Sequence, residues 1–388
     1  MVRAKAVLAS EEAGEGRHRA SMRRLREIDW DFPSQPSESA FSSLHWHPCR
    51  FPSQIPAIAV ARLTSPGDTV LDPFMGSGTT LVEAQRLGRR STGIDVNPVS
   101  CLIAESKTLS IESSRVRRFV ERSGLFFAKH WNDLRADDAP GSVQGSKWYM
   151  PETLDALRKI WTVVQKEQSD LKVIGESAFS SILLPACRET RHWGYVCDNT
   201  TPKTMRKADP KALFISSLEQ FALAYEERER VRQITIPTAE IIQGDAREVM
   251  QSRPSCHFAL VITSPPYFGV TDYVKAQRLS LEWMSNPIEP VRLLEVGARS
   301  KRHRRNAGES YLQEIRGAFV EVYRLLKSGG FAVVIFGQSP KRADLYECFR
   351  DAIGSIGFSI EIEKLRQIPA TRRLVPSVSN EMVILLRK

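Results

Sequence analysis

The 388-residue chain lacks two features that would place it in or across a membrane. It has no run of about 18 consecutive apolar residues, which a transmembrane helix requires. It also has no apolar segment near the N-terminus of the kind found in secretory signals. We therefore expect a cytoplasmic protein without a membrane partner.

Cysteine is scarce, and its spacing argues against disulfides and metal. The chain has six cysteines, and no two of them form a Cys-x-x-Cys pair. Structural zinc sites and redox-active pairs depend on such close spacing. We expect reduced thiols, no disulfide framework and no metal site. The six are Cys49, Cys101, Cys187, Cys197, Cys256 and Cys348.

The remaining composition is close to the globular average, with 42% apolar and 26% charged residues and a net charge of +10. A positive balance permits a polyanionic partner but does not establish one. The charge is concentrated in two segments. Arg299–Arg305 (RSKRHRR) holds five Arg or Lys, and residues 364–388 hold six against one acid. The rest of the chain is formally neutral.

The hydrophobic pattern of residues 69–96 predicts a strand, a glycine-rich loop, a helix and a second strand. Thr69–Phe74 and Arg90–Val96 are short apolar runs, and the intervening TTLVEAQRLG is amphipathic. Such a unit builds parallel, doubly wound α/β sheets. We predict an α/β fold with the sheet continued by later strands at Glu240–Ala246, Phe258–Tyr267, Phe331–Gly337 and Asn380–Lys388.

Between these two groups of strands the pattern is helical and charged. This predicts four regions: a polar N-terminal arm (residues 1–43), the first part of the core (44–110), a helical insertion (111–235) and the second part of the core (236–388). The long helix that includes the RLLKSGG segment is predicted to end at Gly329.

Ligands of open parallel sheets bind beyond the carboxyl ends of the strands. Asp72–Thr80 (DPFMGSGTT) follows the first strand, and its glycines let the backbone approach a ligand. It lacks the Gly-x-Gly-x-x-Gly and Gly-Lys-Ser/Thr patterns, so dinucleotides and ATP fit poorly. Asp95, at the end of the second strand, is placed to bind ribose hydroxyls, or else to cap a helix.

Two further loops complete this edge. Asp245 is placed either to accept a hydrogen bond from an adenine amino group or to cap a helix. Ser264–Tyr267 (SPPY) follows a buried strand, and its prolines stiffen the backbone. This rigid loop carries a hydroxyl, free carbonyls and an aromatic ring. Together these groups suit a planar ligand that bears an amino group. An ordinary Pro-Pro turn is the alternative.

On these residues the chain resembles the bacterial and archaeal amino-group DNA methyltransferases that use S-adenosylmethionine, in the branch with a Ser-Pro-Pro-Tyr loop. DPFMGSGTT is similar to that family's cofactor loop and SPPY to its catalytic loop. His45–Pro56 and the RLLKSGGFAVVIFG segment are similar to other parts of the core. The likeness covers roughly residues 44–108 and 238–388. It implies a class I methyltransferase fold, a mostly parallel Rossmann-like sheet with a large helical insertion.

The resemblance also implies roles for single residues. Phe74, Gly76, Gly78 and Thr79 would hold the methionine portion of S-adenosylmethionine and Asp72 its amino end. Asp95 would bind the ribose and Asp245 the adenine. The predicted catalytic residues are Ser264, Pro265, Pro266 and Tyr267.

The implied reaction is methyl transfer to an exocyclic amine of a base flipped out of duplex DNA. Ser264 Oγ and the Pro265 carbonyl would accept hydrogens from the amine, and Tyr267, with Phe268 as a helper, would stack on the base. No metal and no cysteine nucleophile would be needed. A serine at the first loop position favours N4 of cytosine, whereas Asp or Asn more often indicates N6 of adenine. The expected enzyme is the modification half of a restriction system, with a cognate endonuclease as its functional partner.

Three alternatives stay open: an adenine-N6 enzyme, an RNA methyltransferase and an inactive nucleic-acid-binding protein. For DNA contact, we predict phosphate binding by Arg299, Lys301, Arg302, Arg304 and Arg305, although such a run is often simply solvated. The insertion is the candidate target-recognition region, with Arg188–Lys207 its most promising part. Its tryptophans are expected to be core residues, and His45 and His47 to lie near the cofactor loop.

Overall fold

The computed structural model describes residues 21–32, 39–48, 50–136, 140, 144–188, 202, 207–231, 236–338, 344–369 and 378–388. These residues form one seven-stranded sheet with helices on both faces. The strands are β1 (Thr69–Asp72), β2 (Arg90–Asp95), β3 (Ala239–Gln243), β4 (Phe258–Thr263), β5 (Leu326–Gln338), β6 (Ser359–Gln367) and β7 (Asn380–Arg387).

The helices surround the sheet and form the insertion. In chain order they are α1 (Ala40–Ser43), α2 (Gln54–Leu63), α3 (Thr79–Arg86), α4 (Pro98–Thr108), α5 (Ser113–His130), α6 (Gly145–Trp148), α7 (Pro151–Gln165), α8 (Ser169–Ala186), α9 (Pro210–Arg230), α10 (Ala246–Val249), α11 (Tyr273–Ala276), α12 (Arg278–Trp283), α13 (Ile288–Leu294), α14 (Ala307–Leu325) and α15 (Asp344–Ile356). Met250–Ser252 and Arg299–Lys301 are short 3-10 turns. None of the helices described is both long and apolar enough to cross a membrane.

The sheet order is β3-β2-β1-β4-β5-β7-β6. Strands β1 to β5 are mutually parallel, and β7 runs antiparallel to both β5 and β6. From β1 the chain moves outward in one direction to β2 and β3, then returns to β4 on the other side. The resulting switch point between β1 and β4 opens a crevice at the carboxyl edge. The predicted fold, a mostly parallel class I methyltransferase-type sheet, is confirmed.

Each central strand buries both faces, because alternate side chains point to opposite sides of the sheet. On β1, Val70 packs in one cluster with helix α2, and the next residue, Leu71, packs in another with helix α14. Strand β4 repeats this with Leu260 and Val261. Burial on both faces explains why these strands are short apolar runs rather than alternating sequences.

The helices of the insertion pack in an apolar cluster that Phe41, Leu44, Leu279 and Trp283 also join. Trp148 is fully buried there, and Trp131 and Trp161 pack partly buried against it. The expectation that the tryptophans are core residues is confirmed for these three, and Trp193 lies outside the described residues. So does most of Arg188–Lys207. At the other end of the chain, residues 21–26 are helical and Leu25 and Trp30 pack against the sheet.

Several element boundaries differ from the predictions, and one strand was not predicted. The long helix ends at Leu325, not at Gly329, because residues 326–330 already belong to β5. The strands before the functional loops end earlier than predicted, at Asp72, Gln243 and Thr263. Strand β6, Ser359–Gln367, was not predicted at all, although its SIEIE start alternates in polarity as an edge strand does.

Candidate functional site

A pocket opens where β1, β2, β3 and β4 end, at the predicted edge of the sheet. Its wall takes residues from the loop after each of these strands, and from residues 47–48, 50–51, 273–274 and 294–296. Among the predicted residues, those on the pocket wall are Phe74, Gly76, Thr79, Asp95, Asp245, Ser264 and Pro266. Those that do not line it are Asp72, Gly78, Pro265 and Tyr267.

Asp95 holds the glycine loop in place. Its Oδ2 accepts a hydrogen bond from the Gly76 N–H at 3.0 Å, and its Oδ1 accepts one from the Asn97 N–H at 2.8 Å. Gly76 has a φ of +49°, a conformation that favours glycine. Burial raises the pKa of Asp95 to about 6. The side chain therefore joins the loop of β1 to the end of β2 and also faces the pocket.

Asp72 is buried beneath the loop rather than exposed in the pocket. It is 0% exposed, and its Oδ2 accepts a hydrogen bond from Thr80 Oγ1 at 2.6 Å. Its Oδ1 accepts another from the Phe74 N–H at 3.2 Å. Burial raises its pKa to about 7. In this structure the carboxyl group of Asp72 shapes the loop, and its contact with the amino end of a cofactor stays a prediction.

Gly78 allows close packing rather than ligand contact. It adopts a φ of +77° at the N-terminus of α3. A Cβ there would lie 2.8 Å from Cβ of Ala104 on α4. Gly78 therefore lets α3 pack closely on α4, and its contact with the methionine portion stays a prediction.

Asp245 caps a helix, which was one of the two roles left open by the sequence. Its Oδ1 accepts from the Arg247 N–H at 2.9 Å, and Arg247 Nε donates to the same carboxylate. Burial opposes ionisation, but the Arg247 hydrogen bonds outweigh it and lower the pKa of Asp245. The residue lines the pocket with its carboxylate already occupied by Arg247.

The catalytic loop leaves β4 with Ser264 and Pro266 on the pocket wall. Tyr267 turns inward: it is only 5% exposed and packs in a small cluster with Val270 and Ile368. Its ring lies where a side chain at Gly337 would be. The expectation that Tyr267 offers its ring to a base is therefore not met here. Phe268 likewise packs against Tyr311, with ring centroids 5.3 Å apart.

His47 lies in the pocket wall, as the expectation for this segment required. A Cβ added at Gly76 would lie 3.0 Å from its Cε1. Its ring nitrogens contact Ser100 Oγ at 3.1 Å and the Pro48 carbonyl at 2.9 Å. Burial lowers the pKa of His47 to about 3. The ring is therefore a neutral support for the glycine loop.

Glu295 is a pocket residue that the sequence did not reveal. It is 4% exposed, and its Oε1 accepts from the Val274 N–H at 3.1 Å. Within the described part of the chain, its Oε2 is buried without a hydrogen-bond partner. Burial raises the pKa of Glu295 to about 7. A motif search misses it because it belongs to no recognisable loop and reaches the pocket only through tertiary folding.

The basic segment Arg299–Arg305 packs against residues 271–272, which follow the catalytic loop in the chain. The Arg299 N–H donates to the Thr271 carbonyl at 3.1 Å, and the Ser300 N–H donates to Asp272 at 2.9 Å. Arg304 and Arg305 are exposed, and Arg302 is partly exposed. This proximity is what a phosphate-binding role next to the site needs.

Two of the basic residues direct their charge to groups within the protein. Lys301 Nζ donates to the carbonyls of Leu293 and Glu295, so its ammonium holds the chain after α13 rather than facing outward. In the second basic segment, Arg366 is 2% exposed and paired with Glu381, so it adds nothing to an outer surface. Arg372 and Arg373 lie outside the described residues. In the described ranges no group of three or more His, Cys, Asp or Glu side chains is arranged to hold a metal.

Comparison with known proteins supports the resemblance. The family model for N6/N4 methyltransferases, described as DNA methylase, matches residues 9–106. The chain is 25% identical over 233 residues to Type II methyltransferase M.MvaI from Kocuria varians, covering 56% of this chain and 51% of that protein. It is 25% identical over 252 residues to Type II methyltransferase M.BsoBI from Geobacillus stearothermophilus, covering 59% and 50%.

A solved SAM-dependent methyltransferase from Methanosarcina mazei aligns with 85% of this chain and 96% of its own, at 10% identity and a TM-score of 0.36. The chain spans about half the length of the two curated relatives above. The family match over residues 9–106 includes the glycine loop, and the longer alignments to the two relatives agree with it, so the chain is similar to the amino-group (N6/N4) DNA methyltransferases.

Proposed function

We propose that this protein transfers a methyl group from S-adenosylmethionine to an exocyclic amino group of DNA, and that the amine is N4 of cytosine. The observation that carries the proposal is the meeting of two loops in one pocket. DPFMGSGTT and SPPY are 184 residues apart between Thr80 and Ser264, yet both line the same crevice at the switch point of the sheet.

The pocket suits S-adenosylmethionine in shape and charge. Gly76 leaves the backbone open to a ligand, and Asp95 lies at the end of β2, where ribose hydroxyls are bound in folds of this type. Glu295 adds a buried carboxyl oxygen without a partner in the described structure, and an unsatisfied group of this kind is costly unless a ligand meets it. A cationic ligand would interact favourably with both carboxylates.

In this arrangement each side chain has a distinct task. S-adenosylmethionine supplies the electrophilic methyl group when bound. Ser264 Oγ and the Pro265 carbonyl would accept hydrogens from the amine and direct its lone pair toward the methyl carbon, which stabilises the charge that develops on nitrogen. A fixed amine and a fixed donor make the step effectively unimolecular.

The base must leave the duplex to reach this pocket, because an in-line approach is impossible inside the stack. The aromatic side chains that line the pocket include Phe74 and Tyr273, and these two replace Tyr267 as our candidates for stacking on the flipped base. Arg302, Arg304 and Arg305 would contact the phosphates beside the catalytic loop. The insertion at residues 111–235 would read the sequence.

The choice of N4 over N6 rests on Ser264, the first residue of the catalytic loop. Incubation with methyl-labelled S-adenosylmethionine and duplex DNA, followed by nucleoside analysis, tests it directly. N4-methylcytosine is the expected product, and Ser264→Ala should reduce its formation. N6-methyladenine would reassign the base while keeping the family. Label in RNA but not DNA, or no transfer with the cofactor bound, would reject DNA methylation altogether.

We further propose that the protein is a cytoplasmic modification enzyme of a restriction system, a role supported by its likeness to type II methyltransferases. DNA from cells expressing it should carry the modification at one short sequence in nearly every copy. Methylation scattered without a sequence rule would contradict this role. A cognate endonuclease would be a functional partner that the modified sites resist.

A further inference from the structure

A chain of hydrogen bonds runs from Ser264 into the body of the protein. Ser264 Oγ donates to the Tyr267 hydroxyl oxygen at 3.2 Å. The Tyr267 hydroxyl donates in turn to Glu381 Oε1 at 2.7 Å. Ser264 faces the pocket, whereas Tyr267 and Glu381 are buried at 5% and 6% exposure. The serine is thus the pocket end of an otherwise buried relay.

The far end of this relay is anchored in the antiparallel edge of the sheet. Glu381 on β7 lies directly opposite Arg366 on β6, and the two form an ion pair. Arg366 is 2% exposed, and its Nε also donates to the Trp30 carbonyl at 3.0 Å. A buried charge that loses its partner is strongly destabilising. Arg366 and Glu381 therefore keep each other in one position.

The aromatic ring of Tyr267 is held from the side as well. Gly337 on β5 is the strand neighbour of Glu381. A Cβ at Gly337 would overlap Cγ, Cδ2 and Cε2 of Tyr267. The absence of a side chain there leaves the space in which the ring lies.

We propose that Arg366, Glu381 and Tyr267 position Ser264 and fix the direction of its hydroxyl proton. This inference rests on the proposed function and deepens it. A carboxylate can only accept, so the Tyr267 proton points to Glu381 and its oxygen lone pairs point to Ser264. Ser264 then donates its hydroxyl hydrogen to the Tyr267 oxygen in a hydrogen bond. The lone pairs of Ser264 Oγ are left facing the pocket. A serine oriented in this way accepts a hydrogen from the amine of a base.

In this relay the ring of Tyr267 and its hydroxyl have separate roles, and a substitution can separate them. Tyr267→Phe keeps the ring and removes only the hydroxyl. The freed Ser264 hydroxyl can then rotate and donate into the pocket, where it would oppose the amine. We expect kcat for methyl transfer to fall about tenfold, in line with the loss of one hydrogen bond, while the Kd for S-adenosylmethionine stays within about twofold.

The decisive measurement is a double-mutant cycle with Ser264→Ala. If Tyr267 acts through Ser264, Tyr267→Phe should have little further effect on kcat once Ser264 is alanine. Glu381→Gln offers a second route, because it keeps the size of the side chain and removes the charge that orders the relay. It should lower kcat in the Ser264 background and not in the Ser264→Ala background.

Tyr346→Phe is the matched control. Tyr346 is also a buried tyrosine, 5% exposed, whose hydroxyl donates to a glutamate of β6, Glu363. Losing this hydroxyl changes a similar contact at a place that does not line the pocket, so kcat should not change.

The outcomes separate the relay from the proposed function. Equal losses from Tyr267→Phe with Ser264 present and absent would overturn the positioning role and leave DNA methylation standing. A wild-type protein that binds the cofactor but methylates no nucleic acid would overturn the proposed function and the relay with it. A loss shared by Tyr346→Phe would show a general effect on folding and also reject the relay.

Discussion

Three carboxyl groups at or beneath the pocket hold their protons unusually tightly. Burial raises the pKa of Asp72 and Glu295 to about 7 and that of Asp95 to about 6. A cationic ligand favours the ionised form of the two that face it, Asp95 and Glu295. Binding should therefore be linked to proton release.

From this linkage we expect the affinity for S-adenosylmethionine to weaken as the pH falls from 8 to 5.5. Below their raised pKa values, Asp95 and Glu295 must lose a proton before they can favour the cation. Calorimetry at several pH values, in buffers of different ionisation enthalpy, measures both the Kd and the protons released. Affinity independent of pH across this range would mean that neither carboxyl contacts the charged part of the ligand.

The raised pKa of Glu295 also leads to a prediction about the stability of the ligand-free protein. Its pKa rises from the usual 4.5 to about 7 on folding, so the folded state binds the proton more tightly than the unfolded state does. This favours folding at acidic pH, and the benefit is lost as the pH rises through 7. The Glu295→Gln variant cannot lose this stabilisation, because glutamine does not titrate. The free energy of unfolding of the variant minus that of wild type should therefore increase by up to about 3 kcal/mol between pH 5 and 8.

Urea unfolding at both pH values measures the effect of Glu295→Gln, and Glu309→Gln is the control because Glu309 is exposed on α14. A difference between Gln and wild type that stays constant with pH would mean that Glu295 is ionised at little cost in the folded protein.

At the level of single elements, helix α3 has a glycine at each end, and the two differ only in their surroundings. Gly78 precedes the helix with a φ of +77°, and Gly88 follows it with a φ of +79°. A Cβ at Gly78 would lie 2.8 Å from Ala104, whereas one at Gly88 would meet nothing within 4 Å. Backbone strain is therefore common to both positions, and close packing is specific to Gly78.

We expect Gly78→Ala to destabilise the protein more than Gly88→Ala does. Each substitution costs about 1 kcal/mol in left-handed backbone strain. Gly78→Ala adds a clash with α4, roughly another 1–2 kcal/mol, and displaces Thr79 on the pocket wall. Denaturant unfolding and cofactor titration measure the two effects. Equal losses of stability would show that α3 and α4 separate freely, against the packing described above.

The same elements show what the sequence can and cannot reveal. β1 and β2 were predictable because local apolar runs and turn residues determine them. β6 was missed because it is a more polar edge strand. The loops were located correctly, but the sequence could not show which of their side chains turn away from the pocket. Asp72 and Tyr267 turn inward because their partners, Thr80 and Glu381, complete buried networks, and Glu381 lies 114 residues from Tyr267. Contacts of that range leave no local pattern.

Over the whole molecule, the positions of the exposed arginines show where part of the net charge of +10 lies. Arg304 and Arg305 are exposed in the segment that packs against residues 271–272, shortly after the catalytic loop at the carboxyl edge of the sheet. Arg62 and Arg90 are exposed as well, but they end α2 and begin β2 at the opposite edge. A duplex that delivers a base to the pocket must approach from the first side.

Replacing Arg304 and Arg305 together by Gln should weaken DNA binding, while the same change at Arg62 and Arg90 should leave it nearly unchanged. Both double variants lose two positive charges, so an effect of net charge alone would be equal in the two. Each phosphate contact contributes about 0.9 to the slope of log Kd against log salt concentration, and the first variant should lower that slope by up to about 2. Fluorescence anisotropy with a labelled duplex at several salt concentrations measures it. Equal slopes for the two variants would remove the basic segment from the DNA-binding surface, and an unchanged Kd for S-adenosylmethionine in both would show that the pocket had stayed intact.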